Sequence, residues 1–381
     1  MPLARRSTLT QFLIEERRRY PSASGDFNAL VLDVALACKT LARSVAFGAL
    51  SGPLSTAFGG LLAAGVGGGV GGLPSGSGHA QLGPAADGAA QESMGHAIFV
   101  DANHWGGHLA GMASTTVAEP VTIPAPNPRG KYLLVFDALE GADQADLNVA
   151  LGSVFSVLRA PPALADGGRE LRAEDFLQSG AQQVAAGYAL YGPATQLVLT
   201  VGAGVHGFTL DPNLGEFKLT QPGIRIPDDT NTFAINAANA RFWEAPVKRY
   251  VDECLAGKSG PRGKNFSTRW IASPVAEAHR ILMRGGVFLC PRDADDATRP
   301  GCPGLLHQAN PLAMLIEQAG GRASTGREPV LQLVPGSLSQ RTGLVFGSRH
   351  EVERIERYHH EPAALASSGS PLFSPRSLFR V

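Results

Sequence analysis

Four carboxylates, Asp137, Glu140, Asp143 and Asp146, fall within ten residues of one another, directly between two apolar runs at 132–136 and 151–158. Oxygen donors at the carboxyl end of a buried strand, with Gly141 letting the backbone fold close behind them, are what a hard cation such as Mg²⁺ requires. Asp and Gly are equally at home in an ordinary solvated turn. Spacing alone leaves both readings open. The two apolar runs themselves predict a strand, an acidic turn and a second strand.

Helices and further strands have to hold that turn in place. Thr8 or Thr10 caps a short amphipathic helix through Leu9, Phe12 and Leu13 that ends before Pro21. Over residues 28–45 the apolar positions keep helical spacing for about five turns. Residues 48–90 are a nearly uncharged Gly, Ala, Ser and Pro tract. Its Gly67 to Gly72 run fits GxGxxG formally, but no strand precedes it and no acidic ribose partner follows, so a flexible linker is expected and not a dinucleotide site. Helix-like residues 97–113 follow, then a proline-rich loop at 120–128. Short apolar runs at 187–190, 196–201, 206–211 and 216–219 predict an antiparallel meander. Beyond residue 225 the pattern becomes helices at 247–255 and 275–283, a strand at 286–289, a helix opened by the Asn310-Pro311 pair, strands at 330–334 and 344–346, and a helix at 351–358. The expected organisation is a disordered start at 1–7, an N-terminal domain at 8–224 that holds the acidic turn and the glycine-rich insertion, a C-terminal α/β domain at 225–360, and a disordered tail at 361–381.

With 381 residues, the chain can bury two cores. Lys plus Arg equals Asp plus Glu at 33 each, which removes the simple electrostatic case for nucleic acid or an anionic membrane as a partner. Residues 50–73 are too rich in glycine to read as a membrane span. Cys38, Cys254, Cys290 and Cys302 form no CxxC pair and suggest free thiols in a cytoplasmic protein. His104, His108 and His307 lack paired ligand spacing and read as packing or surface residues.

Once the acidic turn is placed at a strand end, the chain resembles the class I fructose-1,6-bisphosphatase family. The resemblance is carried by ordered blocks: Thr8-Leu-Thr-Gln-Phe12, Trp105-Gly-Gly-His-Leu-Ala-Gly-Met-Ala-Ser114, Arg129-Gly-Lys-Tyr132, Gly187-Tyr-Ala-Leu-Tyr-Gly192, His206-Gly-Phe-Thr-Leu-Asp211, Arg262-Gly-Lys264, Gly285-Gly-Val-Phe-Leu289 and Glu317-Gln-Ala-Gly-Gly321. It implies a five-layer α-β-α-β-α sandwich, a homotetramer, and Mg²⁺-dependent removal of the 1-phosphate of fructose 1,6-bisphosphate. The family's metal signature, Asp-Pro-Leu-Asp-Gly-Ser-Ser, stands here as Asp137-Ala-Leu-Glu-Gly-Ala-Asp143. The resemblance therefore keeps Asp137 and the Leu139 carbonyl as metal ligands, puts the longer Glu140 in place of the second Asp, and turns the phosphate-side residues behind Gly141 into Ala142 and Asp143. Paired glutamates of the family pattern become Thr115 and Thr116, and the Glu and Tyr before the Asn-Pro block become Gln308 and His307.

The sugar-phosphate pocket implied by the resemblance involves Asn236, Arg269, Trp270 and Cys290, with Cys302 near an expected Lys and Arg269 reaching a neighbouring subunit. A nucleotide-effector cradle is implied at Gly25, Asp26, Asn28, Lys131, Tyr132 and Arg159. Neutral Thr and Gln do not supply the charge that divalent ions need. These departures imply a pseudoenzyme with lost or much reduced phosphatase activity. Two alternatives stand beside it: an active bisphosphatase, and a regulatory or assembly subunit that forms hetero-oligomers with an active paralogue.

Overall fold

A computed structural model describes residues 7–19, 25–48, 84–165, 168–294, 301 and 303–361. Of the glycine-rich linker expected at 48–90, residues 49–83 lie outside the described residues, as do the first six residues, Cys302 and the tail from 362; residues 84–90 are the start of a helix and not linker.

Two sheets and three helical layers alternate. The first layer holds α1 (Leu9–Arg19), α2 (Gly25–Phe47) and α3 (Pro84–Asn103). On α2 the buried Leu30, Val34, Ala37, Cys38 and Leu41 recur every three or four residues, which puts one apolar stripe on the sheet beneath. That sheet has eight strands, β1 (Leu109–Ser114), β2 (Val121–Thr122), β3 (Tyr132–Glu140), β4 (Leu151–Arg159), β5 (Ala185–Tyr191), β6 (Thr195–Thr200), β7 (Val205–Asp211) and β8 (Glu216–Ile224), in the order β2-β1-β3-β4-β5-β6-β7-β8. All nine residues of β3 are buried, because helices cover both of its faces; hence the continuous apolar run where a half-exposed strand would alternate.

A second sheet orders β10 (Ser267–Thr268), β9 (Thr232–Ile235), β11 (Val287–Cys290), β13 (Leu344–Gly347) and β12 (Arg322–Ser324) side by side. Between the sheets lie α5 (Pro274–Arg284) and α6 (Asn310–Gln318), whose Val275, Ala278, Ile281, Leu312 and Leu315 meet Val154 and Tyr188 on one side and Phe288 and Phe346 on the other. α4 (Ala245–Ala256) and α7 (Arg349–His360) cover the outer face through Tyr250, Val251, Val352 and Ile355. The expected five-layer α/β sandwich is thus the architecture found. At Gly187 a side chain has no room, since a Cβ there would lie 2.4 Å from Phe155 Cζ.

Three further expectations about the elements need correction. Residues 109–113, read as part of a helix, form β1, which pairs in parallel with β3. The segment 330–334 contains a single 3₁₀ turn, Val330–Gln332, and the strand of this part of the chain is β12 instead. Asn310 does not cap α6: Ala309 before it is already helical, and a π-helical turn, Leu305–Ala309, runs straight into the helix.

Candidate functional site

The buried end of β3 carries Asp137. Parallel pairing of Ser114 with Phe136 brings Thr115 alongside, and the Thr115 hydroxyl donates to Asp137 Oδ1 at 3.2 Å. From the middle layer the π turn presents Gln308, whose Nε2 donates to Asp137 Oδ2 at 2.6 Å. Gln308 is in turn held through Oε1, which accepts from Gly304 N–H at 3.1 Å. Thr116 stays apart from the carboxylate, its N–H bound to Ser114 Oγ at 3.2 Å. Burial pushes the Asp137 carboxyl up to about 6, against the pull of the Gln308 and Thr115 hydrogen bonds and of the Leu139 backbone N–H.

After a β-bulge between Asp137 and Glu140, the chain turns at Gly141, whose φ of 82° favours glycine. Glu140 points to α5, where Ser273 Oγ donates to its Oε2 at 2.6 Å while accepting from Ala276 N–H as the helix cap. Burial raises the Glu140 carboxyl to about 8, opposed by that hydrogen bond and reinforced by the charges of Asp137 and Asp143. Ala142 is buried, whereas Asp143 is exposed on the 3₁₀ turn that follows.

These residues do not fit the divalent cation that the resemblance implies. Both Asp137 oxygens already accept hydrogens from neutral donors, Glu140 is turned toward Ser273, and no three His, Cys, Asp or Glu groups converge as a cation cage among the described residues. A site rebuilt from Asp137, Glu140 and Asp143 is not what this turn forms. His307 also fits its packing role: it is buried, and burial lowers its imidazole to about 4.

A cavity of about 380 Å³ opens where β9 and β11 end. Asn236, Asn239, Trp243, Trp270, Cys290, Arg292, Gly301 and Arg341 line it. Asn236 caps a 3₁₀ turn with its Oδ1, and Trp270 stacks on Phe288 with ring centroids 5.9 Å apart. Of the expected sugar-phosphate residues, Asn236, Trp270 and Cys290 lie in this wall; the two arginines, which have no local motif, are not among those expected. Arg292 is anchored at 2.9 Å by Glu244, which also meets Arg327 at 2.8 Å and His359 at 3.3 Å. Although burial alone would raise it, these guanidinium hydrogen bonds hold the Glu244 carboxyl at about 2. Arg269 lies outside the cavity wall, exposed beyond β10. Cys290 is disulfide-bonded, which corrects its reading as a free thiol; Cys38 and Cys254 are free and buried.

A second cavity, about 340 Å³, lies between the helical layer and the first sheet, where Arg17, Asn28, Tyr132 and Arg159 line it. Of the expected nucleotide cradle, Lys131 and Asp26 pair with each other at 2.8 Å and lie outside its wall, as does Gly25 at the start of α2. Among the described residues no helix is long and apolar enough to cross a membrane.

Comparison with known proteins places this geometry among relatives. Residues 87–222 match the family model for the fructose-1-6-bisphosphatase N-terminal domain, and residues 226–360 match that for its C-terminal domain. The chain is 56% identical over 384 residues to the "Fructose-1,6-bisphosphatase class 1" of Hydrogenophilus thermoluteolus, covering 100% of this chain and 99% of that one. It is 52% identical over 382 residues to the "Fructose-1,6-bisphosphatase class 1 3" of Methylibium petroleiphilum, with the same coverage of 100% and 99%. Among solved structures it is similar to Leishmania major fructose-1,6-bisphosphatase in holo form, with a TM-score of 0.77 and 32% identity over 93% of this chain and 100% of that chain. The T-state of the same Leishmania enzyme gives 0.75 and 31% over 94% and 100%.

Proposed function

Because the chain belongs to the fructose-1,6-bisphosphatase class 1 family, we propose that it acts on a sugar bisphosphate of the fructose 1,6-bisphosphate class. Water adds to one phosphorus, the bond to the sugar oxygen breaks, and inorganic phosphate and a sugar monophosphate leave. The observation that carries this reading is whole-length identity of 56% and 52% to two proteins bearing that name. The larger cavity supports the ligand class: two arginines for a phosphate, two asparagines for hydroxyls and Trp270 for a sugar face are a polar, oriented lining. Asp137, ionised above about pH 6, is not part of that cavity's wall; in this reading it is the carboxylate that would take a proton from water, at a lone pair that Gln308 and Thr115 leave unused.

The bonding of Asp137 favours a second reading, a sugar-phosphate-binding member whose hydrolysis is lost or much reduced. Losing one electrostatic contact to the reacting group typically costs about 10²–10³ in rate. Phosphate release by the purified protein from fructose 1,6-bisphosphate, with and without Mg²⁺ or Mn²⁺, separates the two. Turnover abolished by Asp137→Asn supports the first. Calorimetric binding of fructose 6-phosphate without turnover supports the second, and neither turnover nor binding refutes both.

Two lesser readings accompany these. The cavity at Arg17, Tyr132 and Arg159 suits a nucleotide monophosphate, tested by calorimetry with adenosine monophosphate against Arg159→Ala. A homotetramer is the assembly that goes with the family, tested by native mass; assembly only in the presence of an active relative would favour the subunit reading instead.

A further inference from the structure

A carboxylate that binds a cation directly must offer it lone pairs. Those of Asp137 face hydrogens. Gln308 Nε2 approaches Oδ2 at 2.6 Å, the Thr115 hydroxyl approaches Oδ1 at 3.2 Å, and the residue is 7% exposed. Each donor is itself fixed. The Gln308 amide is pinned by Gly304 N–H, and the π turn that carries it is closed by Ala309 N–H reaching the Gly304 carbonyl at 2.9 Å. Thr115 is held by its own N–H on the Phe136 carbonyl at 3.3 Å. Three separate segments, the end of β1, the buried β3 and the turn leading into α6, thus meet on one carboxylate.

Charge accounting points the same way. Each oxygen of this one carboxylate accepts from a neutral donor, so its need for a partner is met without a cation. A divalent ion in the same place would displace both hydrogens and remain under-neutralised, because Glu140 is committed to Ser273, while Asp143 and Glu92, whose charge also acts on Asp137, are exposed. We propose that Gln308 and Thr115 form a metal-free clamp with Asp137, in which neutral donors stand where a cation would otherwise be held and tie the larger sheet to the middle helical layer without one. The inference concerns the fold's own bonding and is independent of which sugar phosphate is bound.

The test is thermal unfolding of the full chain in chelator and in millimolar Mg²⁺ or Mn²⁺. Wild-type Tm should be the same in both. Gln308→Ala should lower Tm by roughly 2–5 °C in either buffer, since a hydrogen bond to a buried charge is lost. Gln308→Glu, which sets a second carboxylate against Asp137, should fall further in chelator and recover with Mn²⁺; if it does not fold in chelator, it is purified in Mn²⁺ and its bound ion counted by electron paramagnetic resonance, against no bound ion for wild type. A metal-induced rise in wild-type Tm that Asp137→Asn removes would overturn the clamp, as would a Gln308→Ala protein as stable as wild type. A Gln308→Glu protein indifferent to Mn²⁺ would remove the idea that Gln308 stands in a cation's place.

Discussion

Replacing Glu140 by Gln should remove most of a pH dependence from the folded chain. Glu140 is 9% exposed and its carboxyl is raised to about 8, with burial the largest cause. Unfolded, it ionises near 4.5. Between those values the native chain holds a proton that the unfolded chain has released, so the stability it contributes is complete below pH 4.5, declines as pH rises and is gone above about 8. At about 1.4 kcal/mol for each pH unit, the interval from 4.5 to about 8 gives an upper value of about 5 kcal/mol. Gln keeps an oxygen for the Ser273 hydroxyl but has nothing to titrate. Asp137 titrates in both proteins and largely drops out of the comparison. Urea midpoints at pH 5, 7 and 9, in chelator, should therefore find the two proteins within about 1 kcal/mol at pH 5 and Glu140→Gln ahead by about 2–4 kcal/mol at pH 9. Parallel profiles, or a variant weaker at pH 9, would refute the assignment of a buried neutral acid.

Glu244→Gln acts with the opposite sign. Its carboxyl is held at about 2, so the stability it supplies is present above pH 4.5 and lost toward pH 2, and chemical denaturation at pH 7 should show a loss of about 2–3 kcal/mol that narrows between pH 5 and 3. Arg341→Ala should weaken fructose 6-phosphate binding by about tenfold or more in calorimetry, the usual worth of a hydrogen bond to a charged group. Unchanged affinity would take Arg341 out of the ligand's reach. Gly187→Ala should cost about 1–3 kcal/mol in urea unfolding, because its methyl meets Phe155 Cζ at 2.4 Å, and Phe155→Leu should recover part of that loss.

Periodicity made the helices of the outer layer, the strands around the acidic turn and the meander legible, because each buries a repeating set of positions. It failed at β1, where Leu109-Ala-Gly-Met-Ala-Ser114 is small, apolar and fully buried, a composition that a helix segment shares. It failed again at 330–334, an apolar run broken only by Gln332 that reads like a strand but follows Pro329 and contains a single turn, Val330–Gln332. The site was legible residue by residue only through the ordered family blocks. Its bonds were not, since Thr115, Gln308 and Ser273 reach their carboxylates across 22, 171 and 133 positions. The family pattern marks Gln308 and Thr115 as departures; the fold gives them a bond each, to the one carboxylate of that pattern that is unchanged.

The margins of the two sheets bear on how copies of this chain meet. At one end of the larger sheet, β2 is two residues long; at the other, the chain just before α1 lies along β8, with Leu219 N–H on the Ser7 carbonyl at 2.8 Å. The smaller sheet ends in β10 and β12, two and three residues long. Short or covered margins offer little backbone for another chain to extend, which guards against runaway strand-on-strand stacking. Backbone pairing across a sheet margin is thereby a poor route for one copy of this chain to meet another.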